Sequence, residues 1–417
     1  MKIIYLLLII LSGAISHADD NFEFHGYWRS GIGQTTDSAD YICVKSPYTN
    51  GNHMRLGNEC GHWGEYQIIY STETAFQNSQ PKDKTWAQFV FGQTFETSDH
   101  TNNETPTTNI ASNYVRIGGF SRSSHKFWVG KRYYRNADSH ILYWFYYADM
   151  SGVGAGVEDI QLGENTMLKT ALLRETSNAT TDTNRGKIGK TVLDIQTYNT
   201  SLGSSWRMGT WLALATTPSA TDASNNIYKS QNGVAIGALF THSLPSNGFL
   251  NLSLQYGSKN MQKLTMAYDD AIEGSDQVSE AQRIRLMQDM VLVVDEKMDW
   301  HLSTGYESYE LGPDNKKKVN NWVIATRPVY FFSDNFSLAL EAGVTNVKVD
   351  TESENRTLGR ITLAPQIHLV KGIWGRPVLR AFITHSSWSN SNKDSVDTAL
   401  QTKTSVTNVG FQMETWF

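Results

Sequence analysis

The chain alternates between apolar and polar positions with a period of two. Over the last fourteen residues, Val409, Phe411, Met413 and Phe417 fall on one face, while Asn408, Gly410, Gln412, Glu414 and Trp416 fall on the other. Residues two apart share one side of a strand, so this is a strand with an oily side and a wet side, ending on an aromatic residue. The same rhythm recurs upstream. Phe22, Phe24, Trp28 and Ile32 alternate with Glu23, His25, Tyr27 and Arg29. Leu250, Leu252, Leu254 and Tyr256 alternate with Phe249, Asn251, Ser253 and Gln255, and Ile361, Leu363, Ile367 and Leu369 with Arg360, Thr362, Gln366 and His368. A β-sandwich gives this pattern too. Several of these segments, however, reach the roughly 9–11 residues that a membrane-crossing strand needs. The pattern therefore predicts an all-β transmembrane barrel.

The connections alternate in length, as expected for a barrel with long outer loops and tight periplasmic turns. Residues 34–53, 97–110, 175–190 and 388–403 read as long polar stretches, and Pro245–Gly248 and Lys371–Gly375 as short ones. Residues 271–290 are polar and partly helix-like, and are expected to form a long outer loop. Lys2, the apolar run Ile3–Leu11 and the small-x-small site Ser16-His17-Ala18 read as a cleaved signal peptide over residues 1–18. Residues 19–417 then form a single barrel domain. No run reaches the 18 apolar residues of a transmembrane helix.

Composition agrees with this reading. Gly is plentiful (32), Pro scarce (9) and aromatics make up 12%, which suits a large antiparallel β protein. The mean hydropathy is negative, as expected when half of each strand faces a watery lumen. With 36 Lys+Arg against 41 Asp+Glu, nothing supports nucleic-acid binding. Cys43 and Cys60 are an even pair in an exported chain, read as a disulfide closing about 18 residues and worth roughly 3 kcal/mol. Two free thiols are the alternative; a metal site with His53 and His62 lacks recognisable ligand spacing.

Gly152-Val153-Gly154-Ala155-Gly156 lacks the strand-turn-helix setting of a nucleotide loop, and a tight bend is expected there. No zinc-protease motif, nucleophile elbow or P-loop is present. No enzyme activity, cofactor or metal is expected. The informative residues are aromatics on the wet face: Tyr27 with His25 and Arg29, Trp63 with Glu65 and Gln67, Phe249 with Asn251 and Gln255, and Trp416 with Gln412 and Glu414. Trp374 lies at a turn in phase with Arg376 and Arg380. Packing against an inward loop explains any one of them. As a set they fit a sugar, whose C–H face lies on a ring while its hydroxyls bond to charged and amide groups. Weak repeated contacts suit flux better than one tight site.

Five segments carry a resemblance: FEFHGYWRSGIG (22–33), RLGNEC (55–60), VGKRYYRNADSHILYWFYYADMSGVGAG (129–156), IWGRPVLRAF (373–382) and QMETWF (412–417). Together they resemble the maltoporin family of sugar-specific outer-membrane porins along the whole mature chain. The resemblance implies an 18-stranded antiparallel barrel, three chains per assembly, and a partly helical third loop folded inward as a constriction. It maps an aromatic slide onto Trp63, Tyr27, Trp416, Trp374 and Phe249. A polar track falls on Arg29, Arg55 and Glu65, and in the inward loop on Arg135 or Asn136, Asp138, His140 and Asp149. Tyr146, with Tyr143 in reserve, corresponds to the constriction tyrosine. Cys43–Cys60 corresponds to the family's first-loop disulfide. A slide aromatic lent by a neighbouring subunit has no counterpart, because residues 97–110 hold no Trp or Tyr. The implied function is passive diffusion of maltodextrin-like oligosaccharides across an outer membrane, whose lipid the barrel contacts. A general porin for small hydrophilic solutes is the alternative, and an adhesin or barrel enzyme a third class.

Overall fold

The computed structural model describes residues 21–417 apart from 37–39, 46–53, 73–84, 98–106, 121–122, 143–146, 177–188, 222–226, 267–277, 311 and 313–316. The expected signal peptide lies outside the described residues. Eighteen strands pair antiparallel in chain order, and the first, Phe22–Thr35, also pairs with the last, Ser405–Trp416. The sheet thus closes on itself and leaves no edge, as a bilayer requires of any strand structure inside it. The closure is made by Tyr27 opposite Trp416 and Arg29 opposite Glu414. The backbones of Gly26 and Phe417 exchange hydrogen bonds of 3.0 and 3.1 Å. The Phe417 ring packs on Phe24 and Trp28, over Gly26, where a Cβ would collide with it.

The two faces sort as the alternation predicts. Ile32, Phe411 and Leu369 are 68%, 67% and 71% exposed on the outer wall. The inner wall carries charges in pairs, which is what burial demands of them. Arg283 and Arg285 lie 3.0 and 2.6 Å from Glu307, and Arg327 donates to Glu341 at 2.6 Å.

Three inward segments fill the barrel. Residues 40–45 and 54–60 are stapled by the Cys43–Cys60 disulfide, whose Cα atoms are 5.7 Å apart. Their Tyr41 and Leu56 pack on Val329, Phe331 and Phe382 of the wall. Gly57, at φ +61°, sits where any Cβ would strike Thr384 and Phe382. The second segment is the connection between the strands Lys126–Arg132 and Gly152–Gln161. Its Ile141 and Leu142 pack on Met54, Val323 and Ala325. Tyr147, Ala148 and Met150 pack on Leu173, Trp211, Ala213 and Ala235. The third segment, residues 259–266, reaches it through Met266 N–H to the Asp149 carbonyl at 3.0 Å.

Several expectations need correction. Residues 282–290 are not outer loop; they open the strand Gln282–Asp295. Arg, Gln and Met favour helices, but Glu307 on the next strand neutralises Arg283 and Arg285 and makes them wall residues. Residues 152–156 are not a bend but the start of the strand Gly152–Gln161. Their glycines leave room for Leu173 and Trp128, which bear on the inward loop. That loop shows no helix among its described residues. Arg135–Asn136 instead pairs with Ala148–Asp149 as a short ladder. The long connections are also shorter than read, since strands extend to Thr35 and begin at Thr107.

Candidate functional site

Strand register assembles the site across the closure. One row of lumen-facing residues runs Glu65, Tyr27, Trp416, and the next runs Trp63, Arg29, Glu414. Trp374 joins from the turn between Arg356–His368 and Val378–Trp388. Asp299 accepts Ile373 N–H at 2.8 Å and Arg376 caps the carbonyls of Ile373 and Gly375, which fixes that turn. The Tyr27 and Trp416 rings lie 6.4 Å apart and 21° from parallel, and Trp374 lies 6.4 Å from Trp416, tilted by 49°. Arg376 covers one face of Trp416 at 3.8 Å. His140 meets both Trp374 and Trp416 edge-on, at 5.4 and 6.3 Å.

A cavity of about 280 Å³ is lined by Tyr27, Arg29, Arg55, Trp63, Glu65, Arg135, Asp138, His140, Trp374 and Trp416. Four sequence-predicted rings and six polar residues thus converge. A wider vestibule of about 720 Å³ opens at the short-turn end, lined in part by Trp374, Trp416, Arg376 and Val291. Phe249 stands opposite Val291 in the register, so it faces the lumen beside this vestibule and apart from the ring ladder. Asn136 and Asp149 do not line the smaller cavity; they belong to the loop's ladder, and Asp149 caps Ser151 N–H at 3.1 Å. Tyr143 and Tyr146 lie outside the described residues.

The polar side of the cavity is a charge relay of fixed geometry. Glu59 accepts from Arg29 at 2.5 Å and from Arg55 Nε at 2.6 Å. Arg55 donates to Tyr27 Oη at 3.0 Å, and Tyr27 donates on to Glu414 at 3.0 Å. Glu414 also holds Arg376 and Arg380 at 2.8 and 2.7 Å. These groups orient one another, so a passing hydroxyl meets donors and acceptors already in place. Burial, then Arg55, pushes the His140 imidazole well below its usual range. It is a neutral ring whose Nδ1 lies 3.2 Å from Arg55 Nη1. Asp138 is exposed to the lumen. Arg135 stacks on Tyr133 at 3.8 Å and stands 4.0 Å from Glu65.

Glu59, Tyr133 and the Arg376–Glu414–Arg380 triad are site groups that the single-strand reading did not select. Arg55 and Glu59 are four apart in RLGNEC, a spacing that could have flagged the pair. Glu414, Arg376 and Arg380 were visible only as neighbours in phase with the aromatics.

A closed barrel with an apolar outer wall, and a lumen narrowed by an inward loop, defines a channel of the porin class. The profile of the family described as LamB porin matches residues 22–417. The chain belongs to that family and is a β-barrel porin of the bacterial outer membrane. Among solved structures it is similar to the outer membrane channel DcaP of Acinetobacter baumannii, at 10% identity over 95% of this chain and 97% of that one, TM-score 0.48. It is likewise similar to OccAB2 of Acinetobacter baumannii, at 11% over 95% and 98%, TM-score 0.49. The OmpF of Salmonella typhi, in complex with daunomycin, is similar at 11% over 96% and 99%, TM-score 0.47. Each likeness is one of barrel shape at low identity.

Proposed function

We propose that this porin conducts oligosaccharides of the maltodextrin class by passive, saturable diffusion. The observation that carries the reading is the line of lumenal rings Tyr27, Trp416 and Trp374, flanked by Arg29, Arg55, Glu65 and Asp138. The sugar's apolar face slides along the ring edges and the exposed faces, while its hydroxyls exchange between arginines and carboxylates. Trp63 receives the chain from the outer side and Phe249 hands it on at the vestibule. Each ring contact contributes about 1 kcal/mol, enough to guide and too little to trap. We propose further that residues 1–18 are removed on export, that residues 19–417 form one domain, and that three chains assemble, each with its own channel.

The test is ion current through the purified channel in a planar bilayer, with maltodextrins added to one side. Concentration-dependent, saturable blockade is expected. Currents indifferent to every oligosaccharide tried would leave a general porin without sugar preference.

A further inference from the structure

We propose that the outer wall around residues 113–193 holds a phosphorylated, multiply acylated lipid of the outer leaflet. The register carries the argument. On the strands Thr107–Gly118, Lys126–Arg132, Gly152–Gln161, Met167–Thr176 and Gly189–Ser201, one row of outward residues runs Asn113, Lys131, Val153, Arg174, Thr191. Two residues nearer the barrel's middle, the next outward row runs Val115, Val129, Ala155, Leu172, Leu193. A cationic row therefore sits directly on an apolar one, about 7 Å apart along the strands.

The upper row lies at the end of the barrel that bears the long connections, because Arg132 leads into the inward loop and Thr176 into residues 177–188. In an outer-membrane barrel that end faces outward. Lys131 and Arg174 are both exposed, and their backbones stand about 10 Å apart, two strand spacings. Arg174 donates to Thr191 Oγ1 at 3.2 Å, which aims its guanidinium along the wall. The carboxylate near Lys131 is Glu175, whose side chain turns inward toward Gly152 and leaves the outer face cationic. Elsewhere on this rim Asn346 stands opposite Thr357, and the outward cation Lys348, opposite Asn320, is drawn back to the Glu352 carbonyl at 3.1 Å.

The lower row is not flat. Ala155, between the longer Val129 and Leu172, floors an apolar groove of about 560 Å³ that also takes in Phe127 and Leu193. Cations on a lipid-facing wall are costly at mid-bilayer and tolerated near the rim. A cation pair at the rim above an acyl-sized groove has the two parts that one lipid requires. The phosphates pair with the guanidinium and ammonium, and an acyl chain lies over Ala155.

The test is native mass spectrometry of the full purified channel in detergent, titrated with bis-phosphorylated hexa-acylated lipid A and with its dephosphorylated form. The phosphorylated lipid should bind at least about tenfold more tightly, and Lys131→Gln with Arg174→Gln should abolish that preference. Ala155→Phe fills the groove without touching charge, and should weaken both lipids about tenfold; it keeps the proposal testable if the double variant does not fold. Equal binding of both lipids, or wild-type binding by either variant, overturns the proposal. So does disulfide formation between two copies carrying Val129→Cys, which would make this wall a subunit interface.

Discussion

Replacing Trp416 by Ala removes the ring at the centre of the lumenal ladder, and its effect can be sized from the contacts. Tyr27 and Trp374 flank Trp416, each 6.4 Å away. Arg376 covers one face at 3.8 Å. At most one face is left for a sugar, so at most one stacking contact is lost, about 1 kcal/mol. That corresponds to roughly a fivefold weaker Kd. The cost to the fold is smaller still relative to the whole, because Arg376 keeps its 2.8 Å pair with Glu414 and loses only a cation–π contact of about 0.5–1 kcal/mol. The assay is the concentration of maltodextrin that halves the current, read beside the barrel's heat-dependent gel mobility. A fivefold rise in that concentration with an intact barrel is predicted, with Trp416→Phe recovering most of it. An unchanged half-blocking concentration would refute the reasoning, since Trp416 is the ring that lies within 6.4 Å of both Tyr27 and Trp374.

Three other outcomes follow from the same geometry. Although Asp138 opens to the narrow lumen, desolvation between loop and wall raises its carboxyl above the usual carboxylate range, against the pull of Arg55. As pH falls, its charge is therefore lost while pH is still above about 3.9, and reversal-potential measurements should show cation preference dropping in that window. The protonated carboxyl's contribution to stability is full below the unfolded value and is lost as pH rises through the raised one. Asp138→Asn should remove the step; a wild-type profile in that variant counts against it. Glu414→Gln leaves Arg376 and Arg380 in a buried site without their carboxylate and should cost about 3 kcal/mol of unfolding free energy. A loss under about 1 kcal/mol would mean lumenal water screens the triad. Cys43→Ser should cost about 3 kcal/mol and loosen the segment carrying Arg55 and Glu59, weakening sugar blockade as well; unaltered blockade would detach the staple from the site.

Faces were legible in the sequence where one strand suffices to set them. Tyr27, Trp63 and Trp416 point into the lumen because each shares phase with charged or amide residues while its neighbours Trp28, Tyr66 and Phe417 turn outward. Adjacency was not legible. That Tyr27 stands beside Trp416, and Arg29 beside Glu414, is a property of closure register, to which residues nearly four hundred apart contribute. Glu59 escaped because a loop has no phase, and its importance comes only from meeting Arg29 of the wall. Residues 282–290, the opening of the strand Gln282–Asp295, were misread as loop because the lumen face carries Arg283, Arg285 and Asp289, polar residues made acceptable by Glu307, His301 and Ser303 on the neighbouring strand. The glycines at 152–156 were misread as a bend because their purpose, space for Trp128 and Leu173, lies on other strands.

The central claim is that sugars travel on the lumenal rings. Current-noise analysis of the wild-type channel across a series of maltodextrins of increasing length tests it most directly. Affinity should climb with each added glucose until the chain spans Trp63 to Trp374, then level off. Blockade that is absent, or that does not depend on chain length, would contradict the account.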